Sequence, residues 1–585
     1  MPSVDGHRVE IAELAHHLGL TPMLAHWHHD AWAHLYESWD LATAEAELLA
    51  MDRPGRIPTT WVAFDGPSRD AAHVLGSVSL IDDDELPGFE HLRPWLASLF
   101  VSPVARNQGV GRRLTAHVVA QARALGEARV HLFCAGQERY YARLGWRTVA
   151  RASAQGEPVA VMAIDTDPRT PRRALVTRWC TDPDIATAYS YLRPGGSPAD
   201  RDRLSVPLRP GLHLAGEVTS RQHPGTMHGA WRSGERAAAT VLDEGTTSAV
   251  VVGAGLAGLA AARRLREAGV TVTVVEAAGA IGGRCRADTS LGGPVNLGGA
   301  WAHGDEGNPI ADAASALGIP TTEAVWADAP TFVVGRGRVA DERERRLRDL
   351  WETIEATLAL DAPPDAALGP ALRERLATLP DDDRVVVEAW ARIEYENLFA
   401  APVDDLSRAH CAEPFALPGA DLMLLGSTSA IAHHLAGHVP VRLGVRATAV
   451  VADGARWLVV TTDGHFVADA VVVTAPIGAL RAGRIHFDPP LPADVLAAIG
   501  RVGAGRVAKV FVTFDERWWA PLRSFFVAGD PEPPLATWVD VSDVCGRPAL
   551  CAFATGDTAE RVEGSSEAEL CDLALHVLTG ARVRP

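Results

Sequence analysis

Residues 248–276 read SAVVVGAGLAGLAAARRLREAGVTVTVVE, a short apolar strand, a glycine-rich turn, a helix and a second strand that ends on Glu276. Gly253, Gly255 and Gly258 allow a tight turn, a close backbone approach to a pyrophosphate, and packing of the helix on the strand. An acid about 20 residues after the glycines is placed to accept hydrogen bonds from a ribose. The stretch therefore predicts a βαβ unit that binds a dinucleotide, without choosing between FAD and NAD.

Later segments of the chain decide between these cofactors. They are GGR at residues 282–284, LGGAWAHG at 297–304, VVVTAPIGAL at 471–480 and GRVAKVFVTF at 505–514. Together they resemble the flavin-containing amine oxidases, especially the polyamine oxidases. The resemblance implies an FAD site that includes, besides the βαβ unit, Gly283, Arg284, Gly299, Ala300, Trp301 and Val445.

Lys509 lies within the last of these segments, in an otherwise apolar strand. Burial of an ammonium group is costly unless the group has a partner or a role. In the family that the chain resembles, this lysine holds a water beside the flavin. We therefore interpret Lys509 as a catalytic residue rather than as a structural ion pair.

The motif that closes the sequence of such oxidases lies here before the dinucleotide-binding stretch. It is present as TRW at residues 177–179, YSY at 189–191, AGEVTS at 215–220 and GTMHGA at 225–230, whereas residues 571–585 end without it. One displaced copy predicts a circular permutation, in which the new ends near Arg173 and Pro585 lie close together. A truncated tandem of two oxidases and a dimer that exchanges this segment are the alternatives. The resemblance implies that the displaced segment adds Gly216, Glu217, Thr226 and Met227 to the FAD site.

The same resemblance implies roles for side chains around the flavin. Trp179 and Tyr189 map to aromatic walls, and both are candidate catalytic residues. Thr226 replaces the second wall tyrosine of the monoamine oxidases, which predicts a wider or more polar pocket. Ala188 stands where covalent members carry a cysteine, so the FAD is expected to be noncovalent.

Three further residues have two readings each. His303 maps to a position that can touch polyamine substrates, and a structural histidine fits it equally. Glu394 and Glu396 either steer a second ammonium group of the substrate or form a solvated helix face.

A second strand, turn and helix pattern lies nearer the N-terminus. WLASLFVSP at residues 95–103 is followed by RNQGVG at 106–111 and by apolar residues at helical spacing through Leu125. A strand at 130–134 then precedes YYARLGW at 140–146. Together these segments resemble the GNAT superfamily of N-acetyltransferases, which implies a mixed sheet that is splayed at an acetyl-CoA site.

In that superfamily the strand holds the pantetheine arm and the turn holds the pyrophosphate. The residues implied here are Leu99, Val101, Arg106, Gln108, Gly109, Val110, Gly111 and Arg112. Tyr141, rather than Tyr140, maps to the proton donor for the departing thiolate, although a core role fits it as well. The base is not identified, since Glu85, Glu90 and His91 precede the strand and none of them stands out.

The composition is that of an ordinary globular protein, with 47% hydrophobic and 22% charged residues among 585. The net charge of −18 argues against a nucleic-acid partner. It would favour the approach of cationic substrates, but solubility alone explains it better. No apolar run reaches the ~20 residues of a membrane helix, so we expect a cytoplasmic protein without a membrane partner. Seven cysteines show no metal-ligand spacing. His26, Asp30 and His34 share a helix face, which we interpret as solvated, and no metal site is expected.

The predicted fold class is α/β multidomain. A GNAT mixed α/β fold covers residues 8–166, and a circularly permuted, Rossmann-like FAD-binding amine oxidase fold with an α+β substrate domain covers residues 174–585. The oxidase segments are 174–241, 248–310, a mainly helical 311–440, and 441–585, with the domain boundary between 165 and 173.

The predicted function is bifunctional. One domain transfers acetyl from acetyl-CoA to an amine, and the other oxidises an amine with O2, the substrate being a polyamine, an N-acetylated amine or a biosynthetic amine. In the alternatives the GNAT domain is a noncatalytic ligand-sensing or interaction module, or the flavin is structural. A homodimer is compatible with the sequence.

Overall fold

The computed structural model describes residues 9–36, 38–324, 326 and 329–584. The chain divides into two compact units, Met1–Thr170 and Pro171–Pro585. The division falls inside the range 165–173 in which the sequence places the domain boundary. No helix in the described ranges is long and apolar enough to cross a membrane. The same ranges contain no group of three or more His, Cys, Asp or Glu side chains that could hold a metal ion.

Unit 1 is a mixed seven-stranded sheet with helices on both faces, in the strand order β1-β2-β3-β4-β5-β7-β6. Its elements are β1 Val9–Glu13, α1 Thr21–Trp32, α2 Leu41–Ala50, β2 Thr59–Asp65, β3 Val74–Ile81, β4 Trp95–Val101, α3 Val110–Ala124, β5 Arg129–Cys134, α4 Glu138–Ala142, β6 Arg147–Ala154 and β7 Glu157–Asp165. Because side chains alternate along a strand, each face has its own core. Leu114 of α3 clusters with Leu96 on one face, and Leu24 of α1 clusters with Phe64 on the other.

The strands β4 and β5 diverge, as the resemblance implied. They run parallel but pair only at Trp95 and His131. The ladder between β3 and β4 is also irregular, with a register shift between Ser77 and Ser79 and a positive φ of 51° at Ser98. A bulge of this kind bends a strand away from its neighbour and leaves backbone groups unpaired.

Unit 2 holds the remaining strands and helices. Its strands are β8 Arg173–Val176, β9 Ser190–Leu192, β10 Leu212–Leu214, β11 Ser248–Val252, β12 Thr271–Glu276, β13 Ala287–Asp288, β14 Val295–Asn296, β15 Trp301–Ala302, β16 Thr321–Glu323, β17 Thr331–Val333, β18 Gly337–Arg338, β19 Leu422–Leu424, β20 Val441–Leu443, β21 Ala447–Asp453, β22 Arg456–Thr461, β23 Gly464–Ala468, β24 Ala470–Val473, β25 His486–Asp488, β26 Val502–Ala504, β27 Val507–Thr513, β28 Ser524–Ala528, β29 Thr537–Asp540 and β30 Ala549–Thr555. Its helices are α5 Pro198–Ser205, α6 Met227–Asp243, α7 Leu256–Glu267, α8 Pro309–Ala316, α9 Asp341–Leu358, α10 Leu368–Leu376, α11 Asp381–Arg392, α12 Thr428–Ala436, α13 Ile477–Arg481, α14 Ala493–Arg501, α15 Ser542–Cys545, α16 Gly556–Glu563 and α17 Glu567–Gly580.

The nucleotide-binding stretch forms the centre of a parallel sheet in the order β10-β24-β11-β12-β20. The predicted strand, helix and strand are therefore present as β11, α7 and β12. The edge strand β10 and the helix α6 come from the displaced segment. α6 crosses α7 so closely that a Cβ at Gly234 would lie 2.0 Å from the carbonyl oxygen of Ala257. The displaced segment is thus packed into the core of the same chain's nucleotide-binding layer.

The displaced segment also enters two other sheets. β8 pairs antiparallel with β27 at the edge of the sheet β18-β17-β28-β29-β30-β27-β8, and β9 pairs with β26. The new ends are not adjacent, however. α17 begins beside β8, where Glu567 pairs with Arg173, and ends at the opposite edge, where the Gly335 amide donates to the Gly580 carbonyl over 2.7 Å. Pro585 itself lies outside the described residues.

The region 311–440, predicted to be mainly helical, contains α9 to α12 and most of α8, and it also contains the short strands β16 to β19. α11 runs into a π-helical turn at Ile393–Asn397. Such turns shift the phase of a helix and are frequent at functional sites. The turn separates Glu394 from Glu396, as described below.

Candidate cofactor and amine site

One cavity of about 990 Å³ runs through unit 2. It extends from the glycine turn after β11, past Lys509 on β27, to Trp351 on α9 and Glu394 in the π-helical turn. Ligand cavities in proteins have volumes of roughly 300–1,000 Å³, and this cavity lies at the upper end of that range. It is therefore large enough for a large ligand and a second, smaller one.

The glycine turn has the geometry that a dinucleotide requires. A Cβ at Gly258 would lie 2.0 Å from the carbonyl oxygen of Gly253, and one at Gly283 would lie 3.2 Å from the Cα of Gly255. Gly255 caps α7 without a side-chain hydrogen bond, so the first N–H groups of this helix are available to an anion. The residues present therefore fit a pyrophosphate.

Glu276 and Val445 lie at the nucleotide end of the cavity. Glu276 accepts hydrogen bonds from the amides of Ala254 (2.7 Å) and Ala278 (2.8 Å), and the Val445 amide donates to the Glu276 carbonyl over 2.8 Å. Each carboxylate oxygen retains acceptor capacity toward the cavity, as a ribose contact requires.

Glu217 links the displaced segment to the rest of the site. It is buried and accepts hydrogen bonds from the Ser190 hydroxyl (2.6 Å), the Gly225 amide (2.9 Å) and Arg284 (3.1 Å). Burial alone would raise the pKa of Glu217, but Arg284, Ser190, Arg201 and the Gly225 amide outweigh it and hold the pKa below its usual value. Arg284 also donates to the Ala188 carbonyl over 2.7 Å. The predicted residues Glu217 and Arg284 therefore form one ion pair on the cavity wall, in which Glu217 is buried and Arg284 is partly exposed.

Other predicted cofactor residues occupy the same wall. A Cβ at Gly299 would lie 2.6 Å from the sulfur of Met227. A larger residue at this position would therefore clash with Met227, which explains why a glycine occupies it. The Gly216 amide donates to the Ser233 hydroxyl over 2.8 Å, and Ala300 and Trp301 line the cavity beside it.

Thr226 adds no free hydroxyl to the cavity, so of the two alternatives predicted for this position, a wider or a more polar pocket, the hydrogen bonds favour the wider one, which stays a prediction. Its hydroxyl caps α6 by accepting from the Gly229 amide over 2.9 Å and donates to the His223 carbonyl over 2.9 Å. Since both its donor and an acceptor site are used, the side chain that remains toward the cavity is chiefly apolar.

Lys509 lies at the middle of the cavity, and only 7% of it is exposed. Its ammonium group donates to the carbonyls of Gly298 (2.5 Å) and Asn296 (3.3 Å) and lies 4.8 Å from the Trp301 ring centre. It has no carboxylate partner among the described residues. Burial lowers the pKa of Lys509 to about 8, so both protonation states are accessible near neutral pH.

Aromatic side chains surround this lysine. The Tyr189 hydroxyl donates to the Asn397 carbonyl, and burial raises its pKa. The Trp179 indole donates to the Leu297 carbonyl over 3.1 Å. Both residues line the cavity together with Phe553, and their catalytic roles stay predictions.

His303 is tied to the wall of the cavity. It lies 3.3 Å from the carboxylate of Asp421 and packs edge-on against the Phe415 ring at 5.1 Å. Its position on the lining is compatible with both readings that the sequence left open.

The far end of the cavity is acidic. Glu352, Glu355 and Glu394 line it and outnumber the arginine beside them, Arg348, and Glu394 accepts from the Trp351 indole over 2.6 Å. Burial raises the pKa of Glu394. The π-helical turn directs Glu396 instead into a separate cavity of about 170 Å³, where it accepts from the Val403 amide over 3.1 Å. Of the two glutamates considered from the sequence, only Glu394 faces the main cavity.

Unit 1 places the predicted transferase residues at the end of β4 and the start of α3. Leu99 and Val101 lie on the diverging part of β4, and Gly109 caps α3 with a φ of 81° and no side-chain hydrogen bond. Arg106 donates to the Val101 carbonyl over 3.2 Å and Gln108 to the Val104 carbonyl over 2.9 Å. These bonds hold the turn so that the amides of Val110, Gly111 and Arg112 remain free of helical partners.

The two tyrosines of unit 1 have different surroundings. Tyr141 is 9% exposed, in the core beside Trp146, and burial raises its pKa. Tyr140 reaches the turn, because a Cβ at Gly111 would lie 2.8 Å from its hydroxyl oxygen. The role of Tyr141 as a proton donor stays a prediction. Glu85, Glu90 and His91, the residues considered as a base, are all exposed.

Two features of the site could have been found in the sequence and were not used. The 55 basic residues include a single lysine, Lys509, beside 54 arginines. Since arginine stays protonated in proteins, a group that must release a proton cannot be exchanged for it. Glu352 and Glu355, three positions apart on one helix face, are the second feature.

These features define an enzyme class in which a dinucleotide-binding cavity continues, past a buried lysine, into an acidic chamber with aromatic walls. Two families match the chain: flavin containing amine oxidoreductase, over residues 126–242 and 256–582, and acetyltransferase (GNAT) family, over residues 22–146. The chain belongs to the flavin-containing amine oxidoreductases and carries a GNAT acetyltransferase domain.

Among its relatives are two polyamine oxidases of Oryza sativa subsp. japonica. Polyamine oxidase 4 is 29% identical over 349 residues, which cover 56% of this chain and 71% of that protein. Polyamine oxidase 3 is 30% identical over 342 residues, 55% of this chain and 70% of that protein. A solved structure of putrescine oxidase, wild type bound to putrescine, matches with a TM-score of 0.45 and 20% identity over 58% of this chain and 83% of that chain.

Proposed function

We propose that the chain is a bifunctional enzyme that acetylates an amine with acetyl-CoA in unit 1 and oxidises a cationic amine with noncovalent FAD in unit 2. The chemistry that FAD supplies in such enzymes is removal of a hydride equivalent from the carbon beside an uncharged amine nitrogen, with O2 as final acceptor and H2O2 as product. The observation that carries the proposal is the single cavity that joins the glycine turn, Lys509 and the acidic chamber.

The residues of unit 2 support distinct steps in this reaction. Glu276, Arg284 and the first amides of α7 are placed to bind the ribose and pyrophosphate of FAD. Trp301, Phe553 and Tyr189 exclude water and give flat walls to the reacting part of the substrate. Lys509, with both protonation states accessible, is placed to hold or move a proton at its ammonium nitrogen.

The cofactor and the reaction are tested by one spectrum. Purified protein is expected to be yellow, to lose its visible absorbance when a polyamine or diamine is added without O2, and to form peroxide when air is admitted. Denaturation should release all of the flavin into the filtrate, because Ala188 offers no thiol for a covalent link. A colourless protein after reconstitution with FAD would contradict the proposal.

Glu394 is expected to select substrates with a second ammonium group. Glu394→Gln removes the charge while keeping the bond from Trp351, and a charge-assisted hydrogen bond contributes about 1.5–3 kcal/mol. KM for a diamine should rise about tenfold, which corresponds to about 1.4 kcal/mol. KM for a monoamine of the same length should stay nearly unchanged.

Glu396→Gln is the matched control for this experiment. Glu396 lies two positions away in the same π-helical turn but faces the smaller cavity. Its replacement should leave the preference for diamines intact. Equal loss of diamine preference in both variants would mean that the turn, and not the Glu394 charge, sets the selectivity.

Gly109 is expected to be essential for acetyl-CoA binding in unit 1. Its φ of 81° is in the left-handed region, and no atom lies within 4 Å of a Cβ built there, so Gly109→Ala strains the backbone without a clash. Acetyl-CoA affinity, measured by calorimetry, should fall about tenfold. Gly126→Ala carries the same strain, at a φ of 88° with equally open surroundings, at the far end of α3. That variant should lose similar stability but keep its affinity.

We further propose that unit 2 is a circularly permuted oxidase. Pairing of β8, β9 and β10 with strands that follow residue 248 in the same chain supports this. Exchange of the segment between two chains is the competing arrangement.

A further inference from the structure

Aromatic side chains cover the opening between the diverging strands of unit 1, on the face opposite α3. Trp27 of α1 lies 4.9 Å from the Phe100 ring of β4, and Trp32 lies 6.2 Å from the same ring. Tyr36, in the turn after α1, lies 6.4 Å from the Phe133 ring of β5. The cluster thus touches both strands that separate, and its members are only half-buried.

One carboxylate is buried against this cluster. Asp84, in the loop between β3 and β4, is 7% exposed and accepts a hydrogen bond from the Tyr36 hydroxyl over 2.9 Å. Its neighbour Asp82 is paired with Arg93 at 3.1 Å, whereas no basic side chain of the described residues pairs with Asp84. A buried carboxylate without a cation is costly to ionise.

The charged groups with the largest effect on Asp84 are negative. Burial raises its pKa to about 8, with further contributions from Asp83, Glu85 and Glu47, while the hydrogen bond from Tyr36 acts in the opposite direction. Glu47 itself accepts from the Trp39 indole over 3.0 Å. Half-buried aromatic rings beside uncompensated carboxylates form a site that favours an organic cation.

We propose that this face of unit 1 binds the acetyl acceptor, a cationic alkylamine whose ammonium group lies among these rings and gives its proton to Asp84. The inference rests on the proposed transferase function. The RNQGVG turn and α3 lie on the other face of the sheet, so the two substrates would meet in the gap between β4 and β5 from opposite sides.

The proposed step balances without a redox partner. The ammonium group loses a proton to the Asp84 carboxylate, and the free amine nitrogen attacks the thioester carbon of acetyl-CoA. A C–N bond forms and the C–S bond breaks, and the second proton that the nitrogen loses passes to the departing CoA thiolate, so that the products are the acetamide and the CoA thiol. Asp84 then returns its proton to solvent. A proton acceptor with a pKa near the working pH suits this step better than a fully exposed carboxylate.

Asp84→Asn is the first test of this proposal. It should lower kcat/KM for acetylation of primary alkylamines and diamines, followed by release of the CoA thiol, about 10²-fold or more. Affinity for acetyl-CoA, measured by calorimetry, should not change, which also shows that unit 1 is folded. Asp84→Glu should restore part of the activity. Asp30→Asn, at an exposed carboxylate on α1 whose side chain is 82% exposed, is the matched control.

Tyr36→Phe tests the proton-transfer role of Asp84 through the pH profile of kcat/KM. This profile would not shift if Asp84 had only a structural role. Loss of the hydroxyl removes a bond that favours the charged carboxylate, so the pKa of Asp84 rises. The acidic limb of the pH profile of kcat/KM should then move to higher pH, with Asp83, Glu85 and Glu47 still present. Amine binding in the absence of acetyl-CoA, followed by tryptophan fluorescence, should be weakened by Trp32→Leu.

The outcomes separate this inference from the proposed function. Wild-type kcat/KM and an unshifted pH profile in Asp84→Asn and Tyr36→Phe would overturn the assignment while leaving the transferase function intact. A wild-type protein that neither binds acetyl-CoA nor acetylates any amine of the series would overturn the function itself.

Discussion

Lys509→Met is expected to lower the rate of amine-dependent O2 consumption about 10²–10⁴-fold, the range typical for loss of a positioned proton-transfer group. Methionine has a similar length and no charge, and the side chain that it replaces is buried without a carboxylate partner. The desolvation cost of the charge is removed, which offsets the loss of the hydrogen bonds from Lys509 to the Gly298 and Asn296 carbonyls. The variant should therefore fold and retain flavin, so that the loss reports chemistry.

Two further variants separate charge from proton transfer. Lys509→Arg keeps a positive charge but cannot release its proton near neutral pH, and we expect a loss close to that of Lys509→Met. Arg506→Met, just before the same strand, removes a side chain that pairs with Asp557 and Glu560 and should leave the rate nearly unchanged. Recovery of most of the wild-type rate in Lys509→Arg would show that only the charge matters.

The composition of the chain allows a direct measurement of the pKa of Lys509. Because Lys509 is the single lysine among 585 residues, protein labelled with 13Cε-lysine gives one lysine signal, without assignment. Its titration should have a midpoint near pH 8, since burial disfavours the charged form. Below this pH the ammonium form predominates, and above it the neutral amine. A midpoint near the usual value for lysine would contradict the burial of this group in solution.

Local sequence patterns predicted much of the fold and part of the site. Gly253, Gly255 and Gly258 form the turn locally, and β11, α7 and β12 all lie within residues 248–276. The βαβ unit could therefore be predicted directly from the sequence. Lys509 could be predicted as a site residue because it is a charged residue in an otherwise apolar strand. The acidic chamber was less accessible, since Glu355 and Glu394 come from separate helices that meet only in the folded chain.

The residues that sequence reasoning missed depend on non-local contacts. Asp84 is one of several acids in its loop, and only its burial against Tyr36, 48 positions away, distinguishes it. The resemblance alone could not choose between a wider and a more polar pocket at Thr226, because the choice depends on the use of its hydroxyl in the cap of α6. The two ends of the oxidase unit were expected to be adjacent, yet they lie at opposite edges of one sheet, because α17 crosses that sheet.

Removal of the displaced segment should abolish flavin binding. A chain of residues 248–585 lacks the edge strand β10, the partner β8 of the lysine-bearing strand, the helix α6 that covers α7, and the carboxylate Glu217. Its buried faces would be exposed and Arg284 would lose its partner. We expect no bound flavin and a poorly soluble fragment, whereas cleavage of the intact chain within residues 244–247 should leave both pieces associated and yellow.

A reordered chain tests the permutation itself. Residues 171–243 attached after residue 585 should restore flavin binding, provided that the linker reaches from one sheet edge to the other. Seven strands give six spacings of about 4.8 Å, or roughly 29 Å, and an extended residue covers about 3.3 Å. About nine linker residues are needed, so a linker of roughly 14 residues should give a yellow monomer. A linker of roughly four residues should give either dimers that exchange the segment or protein without flavin.

Exchange of the segment between two native chains predicts a different dependence of flavin content on dilution. If the native protein were an exchanged dimer, the original connector of residues 244–247 would not need to join neighbouring elements, and dilution would separate flavin from protein. In the structure this connector joins α6 to β11, and the Thr247 and Ser248 amides both donate to Asp469, over 3.2 and 2.9 Å. A short, bonded connector between adjacent elements favours closure within one chain. We therefore expect flavin content to be independent of dilution in the native and long-linker proteins, and to fall with dilution only in the short-linker chain.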